Sequence, residues 1–248
     1  MKNLSGLCEA DLTGLYSEEE FMRKVPATLL AAIIALLIPA LLVVNAVRVL
    51  ANDWYIRLEY AKPDFPPDAY GLTSEQRLEL ALTGLHSVLP QHAEGIDLLR
   101  EARLPDGSEA FNARELGHME DVRVLIGRIY PLHLIALAAI VGLAIVLGRA
   151  PELRAIIPRA LQWGSILTLV IAAGLIVYIL INFNTFFTQF HLIFFEGDTW
   201  QFQFTDTLIR LYPLPFWSDA AILIGAATVV QAIVLLAGTW WWLRAAPA

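Results

Sequence analysis

Two histidines stand where this chain could do chemistry. His118 lies in the run FNARELGHMEDV from Phe111 to Val122, and His191 lies in FHLIFFEGDTW from Phe190 to Trp200. An imidazole with a pKa of about 6.5 both takes and gives a proton near neutrality, so two in one place could divide the work of general base and general acid. On a helix, Glu115, Asp121, Val122 and Arg114 are three or four residues from His118 and share its face. Asp121 or Glu115 could fix the tautomer of His118 by accepting a hydrogen bond, as the carboxylate of a triad does. A serine or cysteine nucleophile has no evident candidate. There is no G-x-S-x-G elbow, Ser74, Ser87, Ser108 and Ser218 sit in plain contexts, and the single cysteine, Cys8, is far from both motifs. A metal ion could be held by His118, Asp121, His191 and Asp198, although no H-E-x-x-H helix is present. Beside these readings stand plainer ones, a solvated helix histidine for His118 and an amphipathic interfacial ring for His191. His86 and His92 read as surface or core histidines.

Bringing residues 118 and 191 together is the task of a membrane-embedded frame. A hydrophobic fraction of 57% and a mean hydropathy of +0.59 exceed what one soluble core can bury. Four runs, Ala27 to Leu50, Tyr130 to Leu147, Leu161 to Ile181 and Ala220 to Leu243, reach the roughly 20 residues that cross a bilayer. The first is too long and starts too far in for a cleaved signal sequence and reads as an anchor. The sequence therefore predicts an all-α polytopic membrane protein. Its parts are a cytoplasmic tail (1–25), a first span (26–51), a small, mainly helical extracytoplasmic domain (52–129), a second span (130–148) and a cytoplasmic loop (149–160). A third span (161–182), an extracytoplasmic interfacial loop (183–218), a fourth span (219–243) and a cytoplasmic end (244–248) follow. Orientation rests on the basic residues near the spans, Arg23, Lys24, Arg149, Arg154, Arg159 and Arg244. It puts both histidines at the extracytoplasmic interface of the membrane.

The domain at 52–129 carries 14 Asp and Glu against 8 Lys and Arg, nearly all of the chain's net charge of −7. So acidic a face argues against nucleic acid as a partner and against holding anionic head groups by charge alone. A lone cysteine excludes an intramolecular disulfide and any CxxC motif, and the context of Cys8 does not make a lipobox. Local signals organise the domain. Thr73 and Gln76 form a T-x-x-Q capping box ahead of an apolar stripe, and Asn112 caps the helix of His118 with Glu115 at the matching position. Asp106-Gly107 predicts a hairpin turn between two short strands. Pro39 should kink the first span, while Asn45 and Arg48 either snorkel outward or point into the bundle. Phenylalanines from Phe183 to Phe195 form an aromatic belt around His191 at the outer end of the third span, Gly197 and Asp198 break the helix, and residues 205–217 read as a loop.

FNARELGHMEDV, FHLIFFEGDTW and TDTLIRLYPLPFW, with NDWYIRLEY after the first span and YGLTSEQRLEL in the outer domain, resemble the bacterial family of four-helix membrane proteins that includes the lipoprotein intramolecular transacylases. The likeness does not cover the tail before Val25. It implies an acyltransferase without a cofactor, whose partners are membrane lipids and a diacylated lipoprotein substrate. In that reaction the sn-2 acyl chain of an S-diacylglyceryl cysteine moves to the cysteine α-amine, leaving an N-acyl lyso-lipoprotein. The two family histidines map onto His118 and His191. The supporting residues expected around them are Asn112, Arg114, Glu115, Asp121, Asp198 and Trp200, with Arg114, Asn112 or Trp200 open as oxyanion donors. The alternatives are a non-catalytic membrane protein that binds a lipoprotein or partner, and a metal-dependent lipid hydrolase.

The topology is testable with single cysteines at Asp106, Asp206 and Arg154 in a Cys8→Ser background. An impermeant thiol reagent on intact cells is expected to label the first two and spare the third. Labelling of Arg154→Cys with protection of the other two would invert the orientation.

Overall fold

A computed structural model describes residues 18–149 and 153–245, so the expected tail up to residue 17, with Cys8, lies outside the described residues. The described chain folds into α1 (Glu18–Leu50), α2 (Asp53–Tyr60), α3 (Ser74–Val88), α4 (Asp97–Glu101), α5 (Ala113–Gly148), α6 (Ile156–Ile181), α7 (Phe183–Phe194), α8 (Thr207–Leu211) and α9 (Leu214–Ala245). Four helices, α1, α5, α6 and α9, are long and apolar enough to cross a membrane. Helix α1 begins at Glu18, so the expected tail is helical in its last turns.

Three of the spans, α1, α6 and α9, pack tightly on one another, and α5 lies more lightly against them. Gly164 explains the closest approach. A Cβ there would meet the side chain of Ile38 at 2.6 Å and the Ala35 carbonyl at 3.0 Å, so α1 comes within reach of bare backbone. Ile34, Ile38, Leu41, Ile157 and Ala160 form the core of this contact. Buried hydroxyls among the helices are satisfied locally, Ser165 by the Leu161 carbonyl, Thr168 by Gly164 and Thr228 by Ile224. The outside is apolar, with Leu180 and Ile181 over three-quarters exposed, as lipid-facing residues must be. Asn45, though exposed, and Arg48 each reach across to a neighbouring helix. Asn45 donates to Gln231 on α9, and the Arg48 guanidinium lies 4.3 Å from the Tyr130 ring centre.

At one end of the bundle, α2, α3, α4, the first turns of α5 and α8 form a cap. Its core joins Leu80, Ala81, Leu99, Phe111, Met119, Leu208 and Leu211. Both capping boxes form. Thr73 and Gln76 exchange side-chain to backbone bonds at the start of α3, and Asn112 and Glu115 do so at the start of α5. Helix α5 is 36 residues long, about 54 Å at 1.5 Å per residue, so it runs through the bilayer and on into the cap. Pro131 lies inside it without ending it.

The segment joining the third and fourth spans keeps the expected break near Gly197, but the helix before it is interrupted at Asn182 and part of the loop expected at 205–217 is helical. Asn182 breaks α6 and caps a new helix by accepting from the Thr185 N–H, so the aromatic run becomes the amphipathic α7. Residues 207–211 form α8, and α9 already starts at Leu214 with Pro215 in its first turn, where a missing N–H costs nothing. Around Asp106-Gly107 the turn forms with Gly107 at φ +88°, but the expected strands reduce to one antiparallel bridge between Arg103 and Glu109. The chain leaves this bridge at once for the Asn112 cap, too soon for a ladder to grow.

This segment is fastened to the cap by polar groups. Arg210 pairs with the buried Asp68 at 2.9 Å, and the buried Arg77 donates to the carbonyls of Arg210 and Pro66. Tyr60 donates to Leu211 and Tyr55 to Phe216, while Lys62 joins Glu59 to Asp219 of α9. For the bundle itself, Gly164→Leu should cost about 1–3 kcal/mol by overpacking against Ile38 and lower the melting temperature in detergent. Gly174→Leu, with open space where its side chain would go, should leave it unchanged. Equal melting of the two variants would contradict the close α1–α6 packing.

Candidate active site

His118 sits on α5 where that helix enters the cap, and His191 lies in the last turn of α7. Both are buried, and their ring centres are 5.9 Å apart at an interplanar angle of 32°. The fold thus brings together two residues that are 73 positions apart in sequence. Aromatic rings enclose them. Phe195 lies 5.1 Å from His118 and 5.7 Å from His191, Phe202 stands edge-on to His118 at 5.4 Å, and Phe187 is 4.2 Å from His191. Trp200 stacks on His191 at 4.9 Å and 28°.

A backbone carbonyl orients His191. Its Nδ1 lies 2.7 Å from the Phe187 oxygen one turn back. A carbonyl only accepts, so Nδ1 carries the ring proton and Nε2 presents the lone pair. In His118, Nδ1 is sealed from solvent with no hydrogen-bond partner. A buried bare lone pair is cheaper than a buried unpaired N–H, which favours the tautomer with the proton on Nε2. Burial, and secondarily the neighbouring His191, push the His118 imidazole down to about 4. Burial also lowers His191, opposed by its bond to Phe187. Both rings are therefore neutral near pH 7, one as acceptor and one as donor.

The expected carboxylate partner of His118 is absent. Glu115 is the N3 residue of the capping box, and its side chain turns back to accept from the Asn112 N–H at 2.8 Å and the Leu208 N–H at 2.6 Å. Helix-start N–H groups outcompete an imidazole one turn further on. Asp121 is exposed and receives the Thr199 hydroxyl at 3.3 Å. Asp198 is exposed too, and its carbonyl closes a turn to Gln201. Among the described residues, no three His, Cys, Asp or Glu side chains come together in a way that could hold a metal ion. The other supporting residues line up the loop. Asn112 donates to Asp206 at 3.0 Å, and Arg114 donates to the Gln201 carbonyl at 3.0 Å. His86 belongs elsewhere, bonded to Asp53 at 2.7 Å and stacked on His92 at 4.3 Å.

The sequence motifs pointed to the two histidines but not to the wall around them. Phe187 and Phe195 read as belt residues and Phe202 carried no signal, because an aromatic residue at a membrane boundary has the same composition whether it faces lipid or a site. Enclosed this way, a neutral acceptor and a neutral donor can move a proton onto and off a reactant with little water present.

A model of the family described as "Lipoprotein intramolecular transacylase Lit" matches residues 31–217. An uncharacterised protein of Aquifex aeolicus (strain VF5) is 30% identical over 216 residues, 87% of this chain and 93% of that protein. The in meso structure of the membrane integral lipoprotein intramolecular transacylase Lit from Bacillus cereus shares the fold at a TM-score of 0.70 and 20% identity, covering 90% of this chain and 97% of that one. A histidine-to-alanine variant of the same protein gives 0.66 at 19% identity, covering 92% and 98%. With the family match running from within the first span to the start of the fourth, the chain belongs to the lipoprotein intramolecular transacylase Lit family, integral membrane acyltransferases.

Proposed function

We propose that this protein moves the sn-2 acyl chain of an S-diacylglyceryl cysteine to the α-amine of that cysteine, at the extracytoplasmic face of the membrane. The observation that carries the reading is the pair of neutral imidazoles 5.9 Å apart in an aromatic enclosure. The enclosure suits acyl chains and penalises a charged ammonium, so the amine arrives as the free base. As its nitrogen attacks the ester carbon, His191 Nε2 takes the proton that the amine must lose. The tetrahedral intermediate then collapses, the bond from carbon to the glycerol oxygen breaks, and that oxygen takes the His118 Nε2 proton as the proton held by His191 replaces it, so that no imidazolate builds up. That transfer between the two rings restores the starting state.

No protein nucleophile is required, because amine and ester belong to one molecule. Holding them together gives the effective molarity of an intramolecular reaction, which reaches about 10⁵–10⁸ M in well-oriented cases. The chain's own work is to fold the substrate back on itself, exclude water that would hydrolyse the ester, and move two protons.

Purified protein with a synthetic diacylated lipopeptide is expected to give an isomer of unchanged mass with one acyl chain on nitrogen, before and after treatment with a strong chelator. His118→Ala and His191→Ala should each lower the rate by about 10² to 10⁴, with losses that do not add in the double variant, while His86→Ala and His92→Ala stay mild. Loss of one acyl group as free fatty acid, stopped by chelation and restored by zinc, would identify a hydrolase instead.

A further inference from the structure

The loop between α7 and α8 carries a donor that no group among the described residues accepts. Trp200 is half-buried, but its Nε1 is closed off from solvent and has no hydrogen-bond acceptor. An indole N–H can only donate, and leaving a buried donor unpaired costs about 1–3 kcal/mol. The ring that carries it is stacked on His191, whose Nδ1 is held by the Phe187 carbonyl.

We propose that the Trp200 N–H is the oxyanion donor of the acyl transfer, paired only when an ester occupies the site; this assignment rests on the transacylase reading. As the amine nitrogen bonds to the ester carbon, the carbonyl π electrons move onto oxygen, and that oxygen accepts from Trp200 Nε1. When the oxygen re-forms the carbonyl, the glycerol oxygen leaves with its bonding pair and takes the proton of His118. The hydrogen bond is strongest while the charge exists, which is the condition for lowering the barrier rather than merely binding substrate.

The other polar groups near the site are committed elsewhere. Asn112 uses its oxygen to cap α5 and its amide to reach Asp206. Arg114 is exposed and holds the Gln201 carbonyl, the residue after Trp200. These bonds instead fix the loop that presents the indole. Asp206 accepts from the Gln203 N–H at 2.8 Å, and Thr199 is tied to Asp121, so Trp200 is flanked by anchors on both sides. A neutral donor also suits the enclosure, since an arginine there would suppress protonation of its neighbours and demand its own counter-charge.

Two replacements separate donation from stacking. Trp200→Phe removes the N–H and part of the ring, whereas 3-benzothienylalanine at position 200 keeps the bicyclic shape and exchanges N–H for sulfur. With a diacylated lipopeptide, both are expected to lower kcat by about 10²-fold or more with KM changed by no more than about twofold. Wild-type kcat in the benzothienyl protein would overturn the assignment, whatever Trp200→Phe does, and would leave the indole a stacking platform. Failure of the wild-type protein to convert the lipopeptide at all would overturn the transacylase reading and this assignment together.

Discussion

The burial of one carboxylate, Glu115, governs the relation between the two halves of the site. At 1% exposure it accepts from the backbone of residue 112 at the start of α5 and of residue 208 in α8, joining segments more than ninety residues apart. Burial raises its affinity for a proton, and the backbone donors around it act in the opposite direction. Removing either partner leaves a buried group unpaired, a larger penalty than the bond's net worth. Because His118 lies one turn beyond Glu115, and Trp200 on the loop leading into α8, this buried group ties the His118 helix to that loop alongside the Asn112–Asp206 and Arg114–Gln201 bonds. The Asp68–Arg210 pair and the buried Arg77 extend the same fastening to the far end of α8.

The chemistry follows from desolvation more than from charge. A triad spends a carboxylate on orienting its histidine, yet here a helix carbonyl orients His191 and no carboxylate touches either ring. Without a nearby negative charge to favour the imidazolium, burial keeps both rings neutral, which suits a reaction in which one takes a proton as the other gives one. In the proposed reaction the same apolar wall suits the acyl chains of the substrate. Positioning is supplied by rigid elements, since α5 runs unbroken from the bilayer into the cap and α7 is capped by Asn182.

Much of this was legible in local sequence. Both capping boxes and the four spans rest on short-range signals, a side chain and the N–H groups beside it or a run of apolar residues, and they form as read. Only the stretch at 205–217, expected as a loop, is more helical than read, because Pro213 and Pro215 signal breaks without saying how much helix lies around them. Helix α7 hides its amphipathic pattern inside an aromatic belt. Glu115 and Asp121 had the right spacing to touch His118, but spacing cannot say that a helix start three residues away and a threonine in a distant loop claim them first. The carbonyl that sets His191 has no sequence signature at all. The meeting of His118 with His191 is a tertiary fact, inferred from topology and the family likeness rather than from either motif.

The central claim is that two buried, neutral imidazoles of opposite tautomer share one site, and selective ¹⁵N-histidine magnetic resonance in lipid tests it directly. With resonances assigned through His118→Asn and His191→Asn, His191 is expected to carry its proton on Nδ1 and His118 on Nε2. His118 should still be neutral at a pH of about 5.5, where an unperturbed imidazole of pKa about 6.5 is mostly charged. A His191 protonated on Nε2, or a His118 that titrates like a solvent-exposed ring, would contradict the account.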